Sequence, residues 1–537
     1  MDLIANFTKT SWTSFNVQVL LVLSLVLIAF LPGKLSKTRK HKLLRLPPGP
    51  PTCPIIGNLA GMLMNRPTFK WIHRVMDELQ TEIACFRFVG VHVITITSCE
   101  IVREAFKDKD EIFADRPETY PSELVSGGFK SVGLSPYGDQ WKKMRRVMAS
   151  EVMSRNTLNM LLHARDVEAD NLLAHVHNLY ERSNTVNVRN IARTHAYAVT
   201  TRMLFGRRPY RGARDGDDGG LGPREREHIE AIFEMMNCIF GFKASDYIPC
   251  LRGLGLDGQE KNAREACDII VEYNDKIVDQ RMASRKEKGG KDVIEDWLDI
   301  LITQNDTEGK PLLTPEEIKA QCREIFIAAM DNQPNNVEWT IAEMLNEPEM
   351  LEKAVEELDK VVGRDRLVQE SDIPNLNYIK ACSRESFRLH PVAPFVFPHA
   401  TMEDTTLAGY FIPKGSHVLV SRLGLGRNPK IWDEPHVFKP ERHLGCNETS
   451  QEVSLHEREM RFVSFSTGRR GCVADRLGTY MTVMFLARVL PDFSWNVLPH
   501  GGRVALVDSE TSLFMSQPLV ASVKPRLAPH MYPTFKN

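Results

Sequence analysis

From Thr314 to Leu345 the sequence reads as one unusually long helix interrupted at its centre by proline and polar residues. Thr314 suits an N-cap, Pro315 the first helical position and Glu317 the third, the pattern of a capping box. The following run, CREIFIAAMDNQPNNVEWTIAEML, would extend the helix to about 30 residues, roughly 45 Å at the usual rise. Pro334 has no N–H and crowds the carbonyl of Met330, so a kink is expected there. Asp331, Asn332, Asn335 and Asn336 place acid and amide groups at that same point. A simple break with exposed polar residues is one reading. The apolar continuation into WTIAEML favours one helix with a working kink.

The rest of the chain fits a mainly α body with a smaller β region. Ile83 to Thr97 alternates and is β-branched, reading as two strands about Gly90. Glu118 to Tyr137, Arg207 to Glu227 and Lys286 to Lys291 read as loops, the last two solvated. The 42% hydrophobic content supplies a large core, and a net charge of −1 argues against a nucleic-acid partner. Length alone would allow several domains, but no linker divides the chain, so one large domain is expected. Ten scattered cysteines fit a reducing compartment rather than a disulfide framework.

Val17 to Leu31 is the one membrane-grade apolar run, and Lys34, Lys37, Arg39, Lys40, Lys42 and Arg45 follow it. Charge on that side keeps the following chain cytosolic and disfavours a cleaved signal peptide. The expectation is a single N-terminal transmembrane helix (residues 1–33, a signal anchor), a basic and proline-rich hinge over 34–51 and a catalytic domain over 52–537. The endoplasmic reticulum membrane is the expected location, with the catalytic domain cytosolic. Asn6-Phe7-Thr8 matches a glycosylation acceptor close to the membrane.

Near the C-terminus, Phe465-Ser466-Thr467-Gly468-Arg469-Arg470-Gly471-Cys472-Val473-Ala474 precedes an apolar helical run from Leu477 to Leu490. A cysteine just before a helix meets unpaired N–H groups and the positive end of the dipole, both favouring thiolate. Gly468 and Gly471 permit tight turns and close approach to a flat ligand, and Arg470 offers it a fixed cation. Zinc is a poor rival, since no cysteines stand in close pairs.

Phe, Gly, Arg, Cys and Ala at these spacings resemble the haem-binding loop of the haem-thiolate monooxygenases, the cytochrome P-450 superfamily. The resemblance covers Leu46 to the C-terminus and implies the cytochrome P-450 fold. It makes Cys472 the axial ligand of a haem b iron, with Phe465, Gly468 and Arg470 in the binding loop. Trp141 and Arg145, four apart on one helix face, are assigned to a haem propionate, and His399 to the second. Lys142, Lys143 and Arg146 are candidates for docking an acidic reductase. The strap Leu46-Pro47-Pro48-Gly49-Pro50-Pro51 matches the one following the anchor in microsomal members. Glu385, Arg388 and Arg442 match a structural network behind the haem, and the loop before Tyr137 would roof the substrate pocket.

Ala328 to Gln333 matches the family's oxygen-activation segment, which assigns Asp331 and Asn332 catalytic roles. Most members carry an alcohol where this chain has Asn332. Asp-Asn, then Pro-Asn and Val-Glu-Trp, resembles the plant aldoxime-forming branch, the amino-acid N-monooxygenases; Gln333 intervenes before Pro334, and His443 agrees with the branch. The implied activity is N-hydroxylation of an L-amino acid twice to its aldoxime, for glucosinolate or cyanogenic glucoside synthesis. Electrons would come from NADPH through a separate NADPH-cytochrome P-450 reductase. Lys130 and the pocket asparagines are candidates for holding the α-carboxylate, and Phe395, Phe397, Phe514 and Met515 suggest an apolar side chain. A C-hydroxylase of terpenoids or phenolics and a non-catalytic haem carrier are the alternatives.

Overall fold

The β-branched run after Glu82 forms the expected pair of strands. β1 (Ile83–Phe88) and β2 (Val91–Ile96) pair antiparallel from Ile83↔Ile96 to Phe88↔Val91, and Val89 takes a φ of 55° in the turn between them. The computed structural model describes residues 45–207, 220–255, 258–287, 293–445, 452–499, 501–509 and 513–536, and these are mainly helical. The helices that shape the site are α1 (Asp139–Val147), α2 (Val188–Phe205), α3 (Pro223–Phe240), α4 (Gln259–Glu287), α5 (Pro315–Ala329), α6 (Asn332–Asn346), α7 (Asn377–Leu389) and α8 (Asp475–Asp492). Two later strands, β3 (His399–Ala400) and β4 (His417–Val420), complete a four-stranded sheet in the order β1-β2-β4-β3. β4 runs parallel to β2, and β3 antiparallel to β4.

The expected anchor Val17–Leu31, the basic residues from Lys34 to Lys42, and Asn6 lie outside the described residues. No helix among the described residues is long and apolar enough to cross a membrane. The proline strap is laid along the sheet: Pro48 O accepts from Cys85 N at 2.8 Å. A Cβ on Gly49 would collide with the Cys85 carbonyl, so close approach requires glycine there.

The three loop expectations need correction. Residues 208–219 lie outside the described residues, but Pro223 opens α3 at its first position, so Arg224 to Glu227 are helical. Proline at that position, with Glu225 in the first turn, is a start signal that outweighs charged composition. Lys286 likewise belongs to the last turn of α4, while 288–291 lie outside the described residues. The segment before Tyr137 also contains a helical turn, Tyr120–Val125.

The long helix begins as its sequence indicates. Thr314 Oγ1 accepts from Glu317 N at 3.3 Å, and Glu317 Oε2 accepts from Thr314 N at 2.8 Å. It does not run through. α5 ends at Ala329 and α6 restarts at Asn332. Pro334 thereby falls in the first turn of α6, where helix N–H groups have no intrahelical acceptor and its missing proton costs little. The polar residues at the break are largely interior: Asn335 Nδ2 donates to His390 O at 3.1 Å and Asn336 Nδ2 to Ser383 O at 2.8 Å, tying α6 to α7. Trp339 stacks on His390 at 3.9 Å, and His390 Nε2 lies 2.7 Å from Glu343 Oε1.

Behind α8, Glu385 collects three side-chain partners, Arg388 at 2.7 Å, Arg442 at 2.9 Å and His443 at 2.7 Å, and accepts from Lys439 N at 2.9 Å. Burial alone would raise this carboxyl, but Arg388 and His443 outweigh it and hold the pKa at about 2. Arg388 also donates to the carbonyls of Gly426, Pro435 and Val437. The Glu-Arg-Arg group is thus a structural clamp, as the resemblance implied.

Candidate active site around Cys472

The Cys472 loop is shaped by its own backbone. Cys472 N donates to Phe465 O at 2.8 Å and Gly471 N to Gly468 O at 3.0 Å. Gly468 sits at φ 66°, and a Cβ there would collide with Asp110 Oδ1 and Phe106 O. Neither a positive φ nor that approach suits another residue. The Ala474 N–H donates to Cys472 Sγ at 3.3 Å.

Sγ is surrounded by protein, and its accessible surface opens on an interior cavity of about 280 Å³. Ala328, Ala329, Asn332 and Gln333 face it across that cavity from the α5–α6 break, and Val132 of the loop before Tyr137 lines it too. The loop is fastened to α5 by Glu324, which accepts from Ser131 Oγ at 2.5 Å, Gly133 N at 2.8 Å and Leu134 N at 3.2 Å. The expected roof is therefore present.

Of the expected binding residues, Phe465, Arg470 and Cys472 line the cavity directly. Arg145, Trp141 and His399 act from behind. Arg145 Nη1 donates to Gly471 O at 2.5 Å, fixing the peptide before Cys472. Trp141 is buried beneath the Arg470 guanidinium, 4.6 Å from ring centre to cation. His399 Nδ1 lies 2.8 Å from Phe113 O, and burial, with Arg116 and Arg470 nearby, pushes its pKa well down. Of the basic residues on α1, Lys143 is committed to an ion pair with Glu317. Only Lys142 and Arg146 are exposed, which removes one member of the expected docking set.

Asp331 and Asn332 separate. Asn332 lines the Cys472 cavity with Nδ2 donating to Ala328 O at 3.3 Å. Asp331 lines a second cavity of about 500 Å³, with Phe233, Phe240, Val392, Pro394, Leu513 and Phe514. Burial raises its carboxyl to about 7 against the pull of Arg193 and Arg422, and Oδ1 has no hydrogen-bond partner. Of the residues expected to favour an apolar substrate, Phe397 lines the first cavity and Phe514 the second; Phe395 and Met515 pack in the core. Lys130 lines neither.

Three residues at the site were given no binding role by the sequence. Arg116 donates to Phe397 O at 2.7 Å and Pro398 O at 2.8 Å. Gln333, 4% exposed, has neither side-chain Nε2 nor Oε1 paired. Arg422 lies two residues beyond the end of β4, opening a short helix, and lines the Cys472 cavity. A charge just after an apolar strand was the one available signal for the last.

The thiolate expected at Cys472 needs a bound cation to compensate its charge. Burial pushes the Cys472 thiol up, and the Ala474 N–H, Arg145 and Arg422 only partly offset it. Charge compensation by a bound metal cation deprotonates such a thiol. Among the described residues no cluster of three His, Cys, Asp or Glu side chains could hold a bare ion. A metal carried in its own macrocycle, needing one sulfur, fits the donor set. Arg470 fits its acidic edge: Nε and Nη2 donate to Ala114 O and Ser135 O, while Nη1 is buried without a partner.

A family model described as Cytochrome P450 (cytochrome P-450 here) matches residues 47–524. The chain is 53% identical over 535 residues to a dihomomethionine N-hydroxylase of Arabidopsis thaliana, covering 99% of each. It is 51% identical to a tyrosine N-monooxygenase of Sorghum bicolor, covering 91% of this chain and 88% of the relative. Identity to a tryptophan N-monooxygenase of Arabidopsis thaliana is 47%, covering 100% and 98%. A zebra fish cytochrome P-450 structure with progesterone superposes with a TM-score of 0.68 at 24% identity, over 86% of this chain and 100% of that one, a likeness of fold. A single cavity-facing cysteine, a broken helix opposite it and a match along most of the chain place this protein in the cytochrome P-450 family of haem-thiolate monooxygenases, supplied with electrons from NADPH through a reductase.

Proposed function

We propose that this chain hydroxylates the amine of an L-amino acid twice and releases the aldoxime. The observation that carries the reading is the amide pair Asn332 and Gln333 facing Cys472 in a largely apolar cavity. An amine with its carboxylate needs polar partners close to the reacting centre, whereas a terpenoid does not. The names of the relatives add support, since each denotes oxygenation at nitrogen of an amino acid. Haem held by Cys472 supplies dioxygen activation.

The residues around it bind and orient. Asn332 stands where an alcohol is usual and organises water for proton delivery. Each hydroxylation consumes one dioxygen and one NADPH with a proton, forming an N–O bond and water. The N,N-dihydroxy amino acid then breaks its bond to the carboxyl carbon. That electron pair becomes the C=N bond of the oxime as one hydroxyl leaves as water and CO₂ departs. Substrates with apolar side chains suit Phe397, Phe233, Phe240 and Phe514.

Residues 1–33 anchor the protein in the endoplasmic reticulum membrane, 34–51 form a hinge, and 52–537 make the cytosolic domain. Its partner there is NADPH-cytochrome P-450 reductase, and its aldoxime enters glucosinolate or cyanogenic glucoside synthesis. Reconstitution with that reductase, NADPH and a panel of dihomomethionine, valine, phenylalanine, tyrosine and tryptophan tests the activity. Aldoxime and CO₂ in equal amounts are expected from at least one. Carbon-hydroxylated products, or a haem spectrum without turnover, would overturn the reading.

A further inference from the structure

Of the cavity-lining side chains with unpartnered polar atoms, Trp297, Gln333, Arg422 and Arg470, two stand out as free to take a substrate's polar groups: Arg422, which makes no side-chain hydrogen bond, and Gln333, whose amide is unpaired at both ends. Arg422 is fixed by backbone on both sides. Ser421 N donates to Ile96 O at 2.9 Å, Arg422 N to Pro394 O at 2.9 Å, and Ser421 Oγ caps Gly424 N at 2.7 Å. Protein packs round the side chain, yet it keeps accessible surface, which opens on the Cys472 cavity. Nε is buried and unpaired. Its charged neighbours are Asp331 and Cys472, so it lies between the thiol and the helix break. No hydrogen bond is made to Asp331, whose own Oδ1 is unpaired.

The other arginines on this cavity differ. Arg116 and Arg470 each donate to two or more backbone carbonyls and lie together beside His399, a cluster suited to the carboxylates at the edge of a macrocycle. Arg422 stands apart from that cluster. A guanidinium without hydrogen bonds in the interior is costly unless a ligand completes it. Its planar fork matches a carboxylate through two parallel bonds.

Resting on the reading that the substrate is an α-amino acid, we propose that Arg422 takes the α-carboxylate and Gln333 Oε1 accepts from the amine. Only the α-carbon separates the two substrate groups, so holding the first beside Cys472 keeps the second over the reacting centre. The asparagines expected to serve are otherwise engaged, with Asn335 and Asn336 donating to His390 O and Ser383 O. Arg422 also times the last step. Loss of CO₂ discharges the anion that the guanidinium stabilises, so the salt bridge favours retention of the carboxylate until nitrogen carries both oxygens.

The test compares, by substrate-induced spectral titration of the full haem-loaded protein, an amino acid from the panel that the wild type turns over with its carboxamide. The wild type should prefer the acid. Arg422→Gln should weaken acid binding by about 30-fold or more, while carboxamide affinity moves less than about 2-fold. Arg422→Lys should fall between, and Gln333→Leu should weaken acid and carboxamide alike. Equal losses for acid and carboxamide in Arg422→Gln would make the residue structural and overturn the proposal. Loss of haem from both Arg422→Gln and Arg422→Lys would assign it to the macrocycle instead, and a wild type indifferent to the carboxylate would equally refute it. Absence of aldoxime from the wild type with every amino acid would overturn the parent reading. Aldoxime formation with unchanged KM in Arg422→Gln would sink the Arg422 assignment alone.

Discussion

Asp331 and Asn332 are neighbours in the chain and look into different cavities: Asn332 faces Cys472, and Asp331 faces the space bounded by Phe233 and Phe514. The break between α5 and α6 falls just before Asn332, and this change of direction divides the acid from the amide. The two residues therefore make separate predictions.

Asp331 should titrate near neutrality, since burial lifts its carboxyl to about 7. A carboxyl raised in the folded state contributes stability that is full below the unfolded pKa, about 3.9, and lost as pH rises through the folded value. Wild type should thus lose stability relative to Asp331→Asn between about pH 4 and pH 7, with a limit of about 4 kcal/mol. Parallel pH-dependent melting curves check the sign. The pH–rate inflection near neutrality should also vanish in the variant.

Asn332 should be required for coupling rather than for binding. Asn332→Ala is expected to cut aldoxime formation by about 10²-fold, as for loss of a proton-transfer group. NADPH consumption should fall much less. Asn332→Thr, restoring an alcohol, should recover most of the coupling. Peroxide release measured against aldoxime formed distinguishes the two.

Gly468→Ala should disrupt the cysteine loop although it adds one methyl group. The positive φ and the collision with Asp110 and Phe106 demand a shift of backbone, worth about 1–3 kcal/mol. The expected outcome is a lower melting temperature and a reduced fraction of protein giving the ferrous–carbon monoxide spectrum of a thiolate haem. Gly90→Ala, with open space around it, is the matched control.

Glu385→Gln should destabilise the fold by about 3–5 kcal/mol, because the buried Arg388 and the half-buried Arg442 are left without their counter-charge. Its pKa of about 2 is depressed, so the stabilisation is present above the ordinary carboxylate value and lost as pH falls toward 2. Chemical denaturation at pH 7 and pH 3 should show a smaller difference between variant and wild type at the lower pH.

Local chemistry was the most legible part. The capping box at Thr314, the strand pair about Gly90 and the apolar helix after Cys472 all rest on spacings of a few residues, and each formed as expected, whereas the Glu385 clamp, which reaches Arg442, was expected from the family resemblance. Proline and polar residues marked the interruption in the long helix. That the interruption is a full break was not legible, because it depends on α7 accepting bonds from Asn335 and Asn336. Charged composition misled at Arg224 to Glu227, where a proline start signal prevailed.

The residues lining the cavity divide the same way. Cys472, Phe465 and Arg470 belong to one contiguous loop, so their shared location follows from the sequence by itself. Gln333 and Arg422 are separated by four strands and several helices, and only Gln333 lies in a segment whose pattern could be matched. Only tertiary structure decided that they share a cavity, that Asp331 leaves it, and that burial outweighs nearby cations at the Cys472 thiol. The physical reason is that hydrogen bonds within a turn or helix join residues close in the chain, whereas desolvation and unpaired charge are set by everything that packs around a side chain.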